Sequence, residues 1–243
     1  MGTISLTDRI KSLARQNGIT YFGVGDLSKV DKALLDQWGE DISHFSYGIS
    51  LGIPLNNYIV DQLPRRSEPS VVINYKHHAY DVVNQRLDLA ASAVSDFIQQ
   101  QGYDVFPIPA SKQADKDRMY GGFSHKMSAG LAGLGWIGKN CLLITPEDGP
   151  RVRWTTILTD APIKPGKGLM SNQCGDCMDC VAVCPAKAIT GNPFVIGESQ
   201  EIRFDGEKCE AYLEKMESEG KLKVCGMCLY VCPYGKNRST KTE

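Results

Sequence analysis

Nine cysteines stand in this chain, and eight of them fall between residues 174 and 232 in two sets. The first reads Cys174-Gly-Asp-Cys177-Met-Asp-Cys180-Val-Ala-Val-Cys184-Pro185, a C-x2-C-x2-C-x3-C-P run. Three thiolates at three-residue intervals let one short loop hold three corners of a cube-shaped 4Fe–4S cluster. The cysteine before the proline leaves from a different turn and, in chains with two such clusters, ligates the other one. The second set is looser: Cys209, then Cys225-Gly-Met-Cys228-Leu-Tyr-Val-Cys232-Pro233, with fifteen residues between Cys209 and Cys225. Eight thiolates suffice for two cubes at four each. By the crossing rule, Cys174, Cys177, Cys180 and Cys232 share one cluster, and Cys184, Cys209, Cys225 and Cys228 share the other. Zinc and disulfides are the alternatives. Two C-x2-C pairs would satisfy zinc, but Cys180, Cys184 and both Cys-Pro steps would then have no role.

The rest of the chain is read as whatever two clusters serve. At 243 residues and 42% hydrophobic content it has room for one large domain, or a medium and a small one. A formal charge of −1 argues against a scaffold bound to nucleic acid by bulk electrostatics, though a local basic patch remains compatible. Only Cys141 lies outside the cysteine-rich region. The start is polar, without the basic and apolar regions of a signal peptide, and no apolar run reaches the ~18 residues of a membrane span. No membrane association is therefore expected, and a reducing cytoplasm, which keeps thiols available for iron, fits best.

Periodicity gives a mixed α/β order followed by a small cysteine-held module, with a boundary between residues 165 and 166. Residues 5–17 read as an amphipathic helix, 20–25 as a strand, and 30–38 as a second helix. Residues 40–68 read as a loop with lid character. Residues 70–75 read as a core strand ending at His77-His78, 82–101 as the longest helix, and 103–107 as a short strand. A helix over 124–134 then runs into Gly133-Leu-Gly-Trp-Ile-Gly-Lys139. Residues 141–145 and 151–159 read as the two strands of a hairpin, the second with Val152, Trp154, Thr156 and Leu158 on one face.

Gly133-x-Gly135-x-x-Gly138 formally matches a dinucleotide-binding fingerprint, but it follows a helix and precedes a strand, the reverse of what that fold needs. Two readings stay open. One is a tight helix-to-strand turn using glycine for close backbone approach. The other is a platform for a large planar cofactor, formed by Gly133, Leu134, Gly135, Trp136, Ile137, Gly138 and Lys139.

Ala132-Gly-Leu-Gly-Trp-Ile-Gly-Lys-Asn140, Leu142-Leu-Ile-Thr-Pro146, Ile157-Leu-Thr-Asp160 and the two cysteine sets together resemble epoxyqueuosine reductase. That family is related to the corrinoid-dependent reductive dehalogenases. The resemblance is dense over residues 120–235 and thin before that. It implies a nitroreductase-like α/β corrinoid-binding domain over residues 1–165 and a ferredoxin-like module with two 4Fe–4S clusters over residues 166–243. It also implies cobalamin, or another corrinoid, as the organic cofactor, with FMN as the alternative that the same scaffold allows. The implied activity is reduction of an epoxide or a carbon–halogen bond, with electrons from a soluble donor such as ferredoxin or flavodoxin. The Cys209–Cys225 gap and the crossed ligands also match the family.

Three departures bear on the substrate. The chain stops at Glu243, eleven residues after Cys232, where tRNA-modifying relatives continue into helical repeats. The family's catalytic aspartate register falls on Met119, between Asp117 and Tyr120. Residues 111–122 are also unusually polar for that place. Architecture therefore transfers better than a tRNA substrate, and a small molecule or a corrinoid protein is the expected partner ahead of tRNA. Asp117, with a raised pKa, or Tyr120, protonated at neutral pH without help, is the candidate proton donor; both also fit a solvated loop. Arg118, Arg65 and Arg66 are candidate anchors for acidic groups. Among the histidines, His125 stands closest to the glycine stretch. The competing function is an iron–sulfur electron carrier or corrinoid-reducing protein acting on another protein's cofactor.

Overall fold

The computed structural model describes residues 4–30, 42, 44–111 and 123–236. Its centre is a four-stranded antiparallel sheet of β1 (Tyr21–Asp26), β2 (Tyr47–Pro54), β3 (Val105–Ile108) and β6 (Val152–Thr159), in the order β1-β2-β6-β3. The loop expected over residues 40–68 therefore contains an inner strand. Ile49, Leu51 and Ile53 alternate with Gly48, Ser50 and Gly52, and the glycines disguise the strand. Their purpose is room. A Cβ on Gly48 would lie 2.6 Å from Ser128 Oγ, and one on Gly52 would lie 2.5 Å from the Trp154 ring. Pro54 is tolerated because it closes the strand.

Each face of the sheet carries helices. Helix α1 (Leu6–Gln16) and the long helix α4 (Val83–Gln100) bury Ile10, Leu87, Val94 and Ile98 against Ile49, Leu51 and Ile157. On the opposite face lies α5 (His125–Leu131), whose Ser128 hydroxyl meets that of Ser50 at 2.8 Å. Between them in sequence come α2 (Asn57–Asp61) and α3 (Pro69–Lys76). The strand expected at residues 70–75 is thus a helix. Pro69 sits at its first turn, where a missing N–H costs nothing, and Val72 and Tyr75 are buried three residues apart while Ile73 is 54% exposed. Helical spacing of the buried positions overrides β-branched propensity here. His77-His78 open a π-helical turn, His77–Val82, that joins α3 to α4. The helix expected over residues 30–38 lies almost wholly outside the described residues.

Residues 141–145 do not pair with β6 as the sequence suggests. Leu143–Ile144 forms β5 and pairs with β4, Trp136–Ile137, while β6 pairs with β2 and β3. The face read from alternation is nonetheless the working one: Val152, Trp154, Thr156 and Leu158 all point toward the α5 side. The cysteine-bearing segment holds α6 (Asp179–Val183), α7 (Gly206–Ser218) and α8 (Met227–Tyr230). It shares the main core through Val224, Met227 and Leu229. No helix among the described residues is long and apolar enough to cross a membrane.

Candidate functional site

The first cysteine loop is shaped by its own backbone. Asn172 Oδ1 accepts from the Cys174 N–H at 2.8 Å, and Cys177 N–H donates to Cys174 O at 3.1 Å. Cys174, Cys177, Cys180 and Cys232 line one small cavity together with Ile144 and Lys139. Lys139 Nζ donates to Gly175 O at 2.8 Å and to Cys177 O at 3.1 Å, which places a cation on the rim of this thiol group. Tyr234 closes another side: its hydroxyl donates to Gln173 O at 2.9 Å and its ring stands edge-on to Trp136 at 4.7 Å.

The remaining ligand candidates form a second group. Cys209 feels the charges of Cys225 and Cys184, and Cys228 feels those of Cys225, Cys209, Cys184 and, least, Cys180 of the first group. Cys184 and Cys232 are therefore exchanged between the two sequence sets. Burial, then the neighbouring thiols, push Cys209 up to about 11; burial also raises Cys232 to about 11. Cys228 is raised further by the same cause, and Arg66 acts against burial at Cys225. Thiolates gathered this way need nearby positive charge, which iron supplies. All nine cysteines are free thiols. Cys141 stands apart, buried in a turn at φ 57°, with its N–H on Gly138 O.

Beside these groups lies a much larger cavity of about 720 Å³, bounded by β6, the start of α5, the β4–β5 hairpin, the segment 194–203 and Leu229. Leu229 follows Cys228 directly, so one wall abuts the second thiol group. The hairpin is a partition, and strand alternation decides what each side sees. Trp136 and Ile144 pack toward Cys232, whereas Ile137 and Leu143 line the large cavity. Of the seven residues of the glycine stretch, only Ile137 lines that cavity. Leu134 packs against the neighbouring apolar cluster, and Lys139 serves the first thiol group. The glycines lie where backbones touch: a Cβ on Gly135 would sit 2.1 Å from Ile144 O.

His125 lines the cavity with both ring nitrogens engaged. Nε2 lies 3.1 Å from Pro109 O and Nδ1 lies 2.9 Å from Thr156 Oγ1. A carbonyl can only accept, so Nε2 carries the proton and Nδ1 accepts from the threonine. Burial pulls this imidazole down to about 4, so it is neutral at ordinary pH. The other histidines are elsewhere: His77 lies beside Asp81, His78 Nε2 accepts from the Asn56 N–H, and His44 lies against Phe45. Arg65 pairs with Glu68 on the surface. Asp117, Arg118 and Tyr120 fall outside the described residues. Three cavity residues carry no signal in the sequence: Lys126, Arg203 and Trp154, the last read there only as part of a strand face.

Residues 173–235 match the family model of a 4Fe-4S double cluster binding domain. An epoxyqueuosine reductase of Bacillus cereus is 33% identical over 126 residues, covering 48% of this chain and 30% of that protein. One from Leadbetterella byssophila is 33% identical over 194 residues, covering 74% and 56%. A tetrachloroethene reductive dehalogenase of Sulfurospirillum multivorans is 36% identical over 116 residues, covering 43% and 22%. The chain thus spans roughly half or less of the curated relatives it matches. In fold, an epoxyqueuosine reductase solved with a tRNA stem loop superposes with a TM-score of 0.60 at 16% identity, over 97% of this chain and 66% of that one. A catabolic reductive dehalogenase superposes with a TM-score of 0.70 at 18% identity, over 96% and 33%. The chain is an iron–sulfur protein of mixed α/β fold that resembles the epoxyqueuosine reductases and is similar in fold to a reductive dehalogenase.

Proposed function

We propose that this chain is an iron–sulfur reductase of the epoxyqueuosine-reductase type. In this reading residues 1–165 form a nitroreductase-like unit and residues 166–243 a ferredoxin-like module with two 4Fe–4S clusters. Cys174, Cys177, Cys180 and Cys232 hold one cluster; Cys184, Cys209, Cys225 and Cys228 hold the other. What supports the reading is that Cys174, Cys177, Cys180 and Cys232 line one small cavity, while Cys184, Cys209 and Cys225 lie around Cys228, the residue before Leu229 on the wall of a cavity large enough for an organic cofactor. Cofactor sites run to ~300–1,000 Å³, and this cavity falls in the upper part of that range.

A corrinoid is the proposed cofactor, supported by a roomy cavity beside the second thiol group and by the likeness to a structure described for B12-dependent dehalogenation; when bound, it would supply a low-valent metal able to reduce an epoxide or carbon–halogen bond. The chain's own residues do the rest. Ile137, Leu143, Val152 and Trp154 exclude water from the cavity. Lys139 holds the first cysteine loop in shape. His125, neutral and doubly engaged, positions the start of α5 and has no free nitrogen for a metal. Asp117 or Tyr120 is the proposed proton donor. A small flavodoxin or ferredoxin is the proposed electron donor, and a tRNA or a small molecule the proposed substrate carrier.

Anaerobic reconstitution with iron and sulfide, followed by dialysis against hydroxocobalamin, tests this. About eight irons per chain with one corrinoid retained is the expected result. Eight irons without retained corrinoid would leave an electron carrier, and a co-purifying flavin would make FMN the cofactor.

A further inference from the structure

The large cavity is lined mostly by apolar residues, and among its charged ones the cations outnumber the carboxylates. Arg203 is only 4% exposed, yet its Nε and Nη1 make no hydrogen bond. Its nearest carboxylate, Glu198, is 3.7 Å from Nη1, on a side chain that is 39% exposed, and its guanidinium otherwise lies over the Phe194 ring at 4.8 Å. Lys126 Nζ, on the same cavity, bonds only to the neutral Gln200 Oε1, at 2.6 Å. Trp154 presents a third buried donor without an acceptor, its Nε1. Arg153, the remaining cation on this wall, is already committed to Asn84 Oδ1 and the Tyr80 ring. Among the described residues Glu198 is the only carboxylate on the cavity.

A buried cation with only one distant, half-exposed counter-charge is costly, and a buried guanidinium with idle N–H groups is rarer still. On the lysine, burial lowers the pKa, the nearby Cys141 thiol acts against it, and Arg203 lowers it again. A ligand that brings an anion would relieve both groups and give the indole N–H an acceptor.

We propose that Lys126, Arg203 and the Trp154 indole form a recognition site for an acidic group, a carboxylate or phosphate, carried on a largely apolar ligand. The inference rests on the cavity being the ligand site, as proposed above, and adds the charge class of what enters it. The acidic group belongs either to the substrate or to the cofactor's own phosphodiester.

Calorimetry on the reconstituted full chain separates these cases. The probes are naphthoate and its uncharged twin naphthamide. Naphthoate is expected to bind, naphthamide to bind on the order of tenfold more weakly, and Arg203→Gln to erase the difference. Lys126→Gln, checked for an unchanged unfolding midpoint, guards against a folding defect in the arginine variant and is expected to reduce the preference in the same direction. Equal binding of the two probes, no binding of naphthoate, or an intact preference in both variants overturns the inference. Competition locates the acid. If cobalamin displaces naphthoate and cobinamide, which lacks the phosphodiester, does not, the site reads the cofactor. If cobalamin and naphthoate bind together, it reads the substrate. If the charge preference holds and no corrinoid binds, the corrinoid reading falls and the anion site stands.

Discussion

Replacing Gly135 with alanine distinguishes the two uses of the glycine stretch. Gly135 has an ordinary φ, so alanine meets no intrinsic backbone strain there. The penalty is contact alone: the new Cβ would lie 2.1 Å from Ile144 O, 2.8 Å from Ile144 C and 3.3 Å from Thr145 Cα. These are backbone atoms of the paired strand, which cannot swing aside as a side-chain tip can. Relief requires the β4–β5 pair to part by about 1 Å, and overpacking of that kind costs about 1–3 kcal/mol. At about 2 kcal/mol, a chain of this size should lose about 4–8 °C of thermal midpoint. The displacement also moves Ile144, which lines the first thiol cavity, so iron bound at Cys174, Cys177, Cys180 and Cys232 should fall with it. Differential scanning calorimetry and an iron count on the same sample read both effects. Corrinoid affinity should change less than iron content, because Gly135 does not line the large cavity. A variant that melts within about 1 °C of the parent and keeps its iron, but loses corrinoid, would refute the structural reading and restore the platform.

Cys141→Ser should keep the full iron content, whereas Cys232→Ser should deplete the cluster of Cys174 and Cys184→Ser that of Cys225; paramagnetic resonance of each reduced variant checks the assignment. Gly226→Ala places a side chain at φ +72° and 2.9 Å from Leu63 Cδ1, so about 1–2 kcal/mol should be lost in a urea titration, together with iron at the Cys225–Cys228 loop. His125 makes stability pH-dependent. Its folded value of about 4 lies below the unfolded 6.5, so the unfolded chain binds more protons in between. Its contribution is complete above pH 6.5 and is lost as pH falls toward 4, a change of at most about 3 kcal/mol. His125→Gln should flatten that slope in urea midpoints taken across the interval; an unchanged slope would mean another group is responsible.

Short-range pattern carried a good share of this molecule. The cysteine spacings alone lead to the proposed division of eight thiols into two crossed groups, because a loop of three-residue steps can serve only one cluster. The helices over residues 6–16 and 83–100 and the inward face of β6 follow from repeats only two to four residues long. What tertiary packing decided lies wherever a residue answers to a distant neighbour. Gly48 and Gly52 look like loop residues until Ser128 and Trp154 press against them. Residues 70–75 look like strand until burial selects Val72 and Tyr75. Lys126 and Arg203, distant in sequence, become a charged pair only when the fold places both on one cavity. The glycine stretch was found by its composition, but which of its side chains faces the cysteine thiols and which faces the large cavity was fixed by the pairing of two short strands.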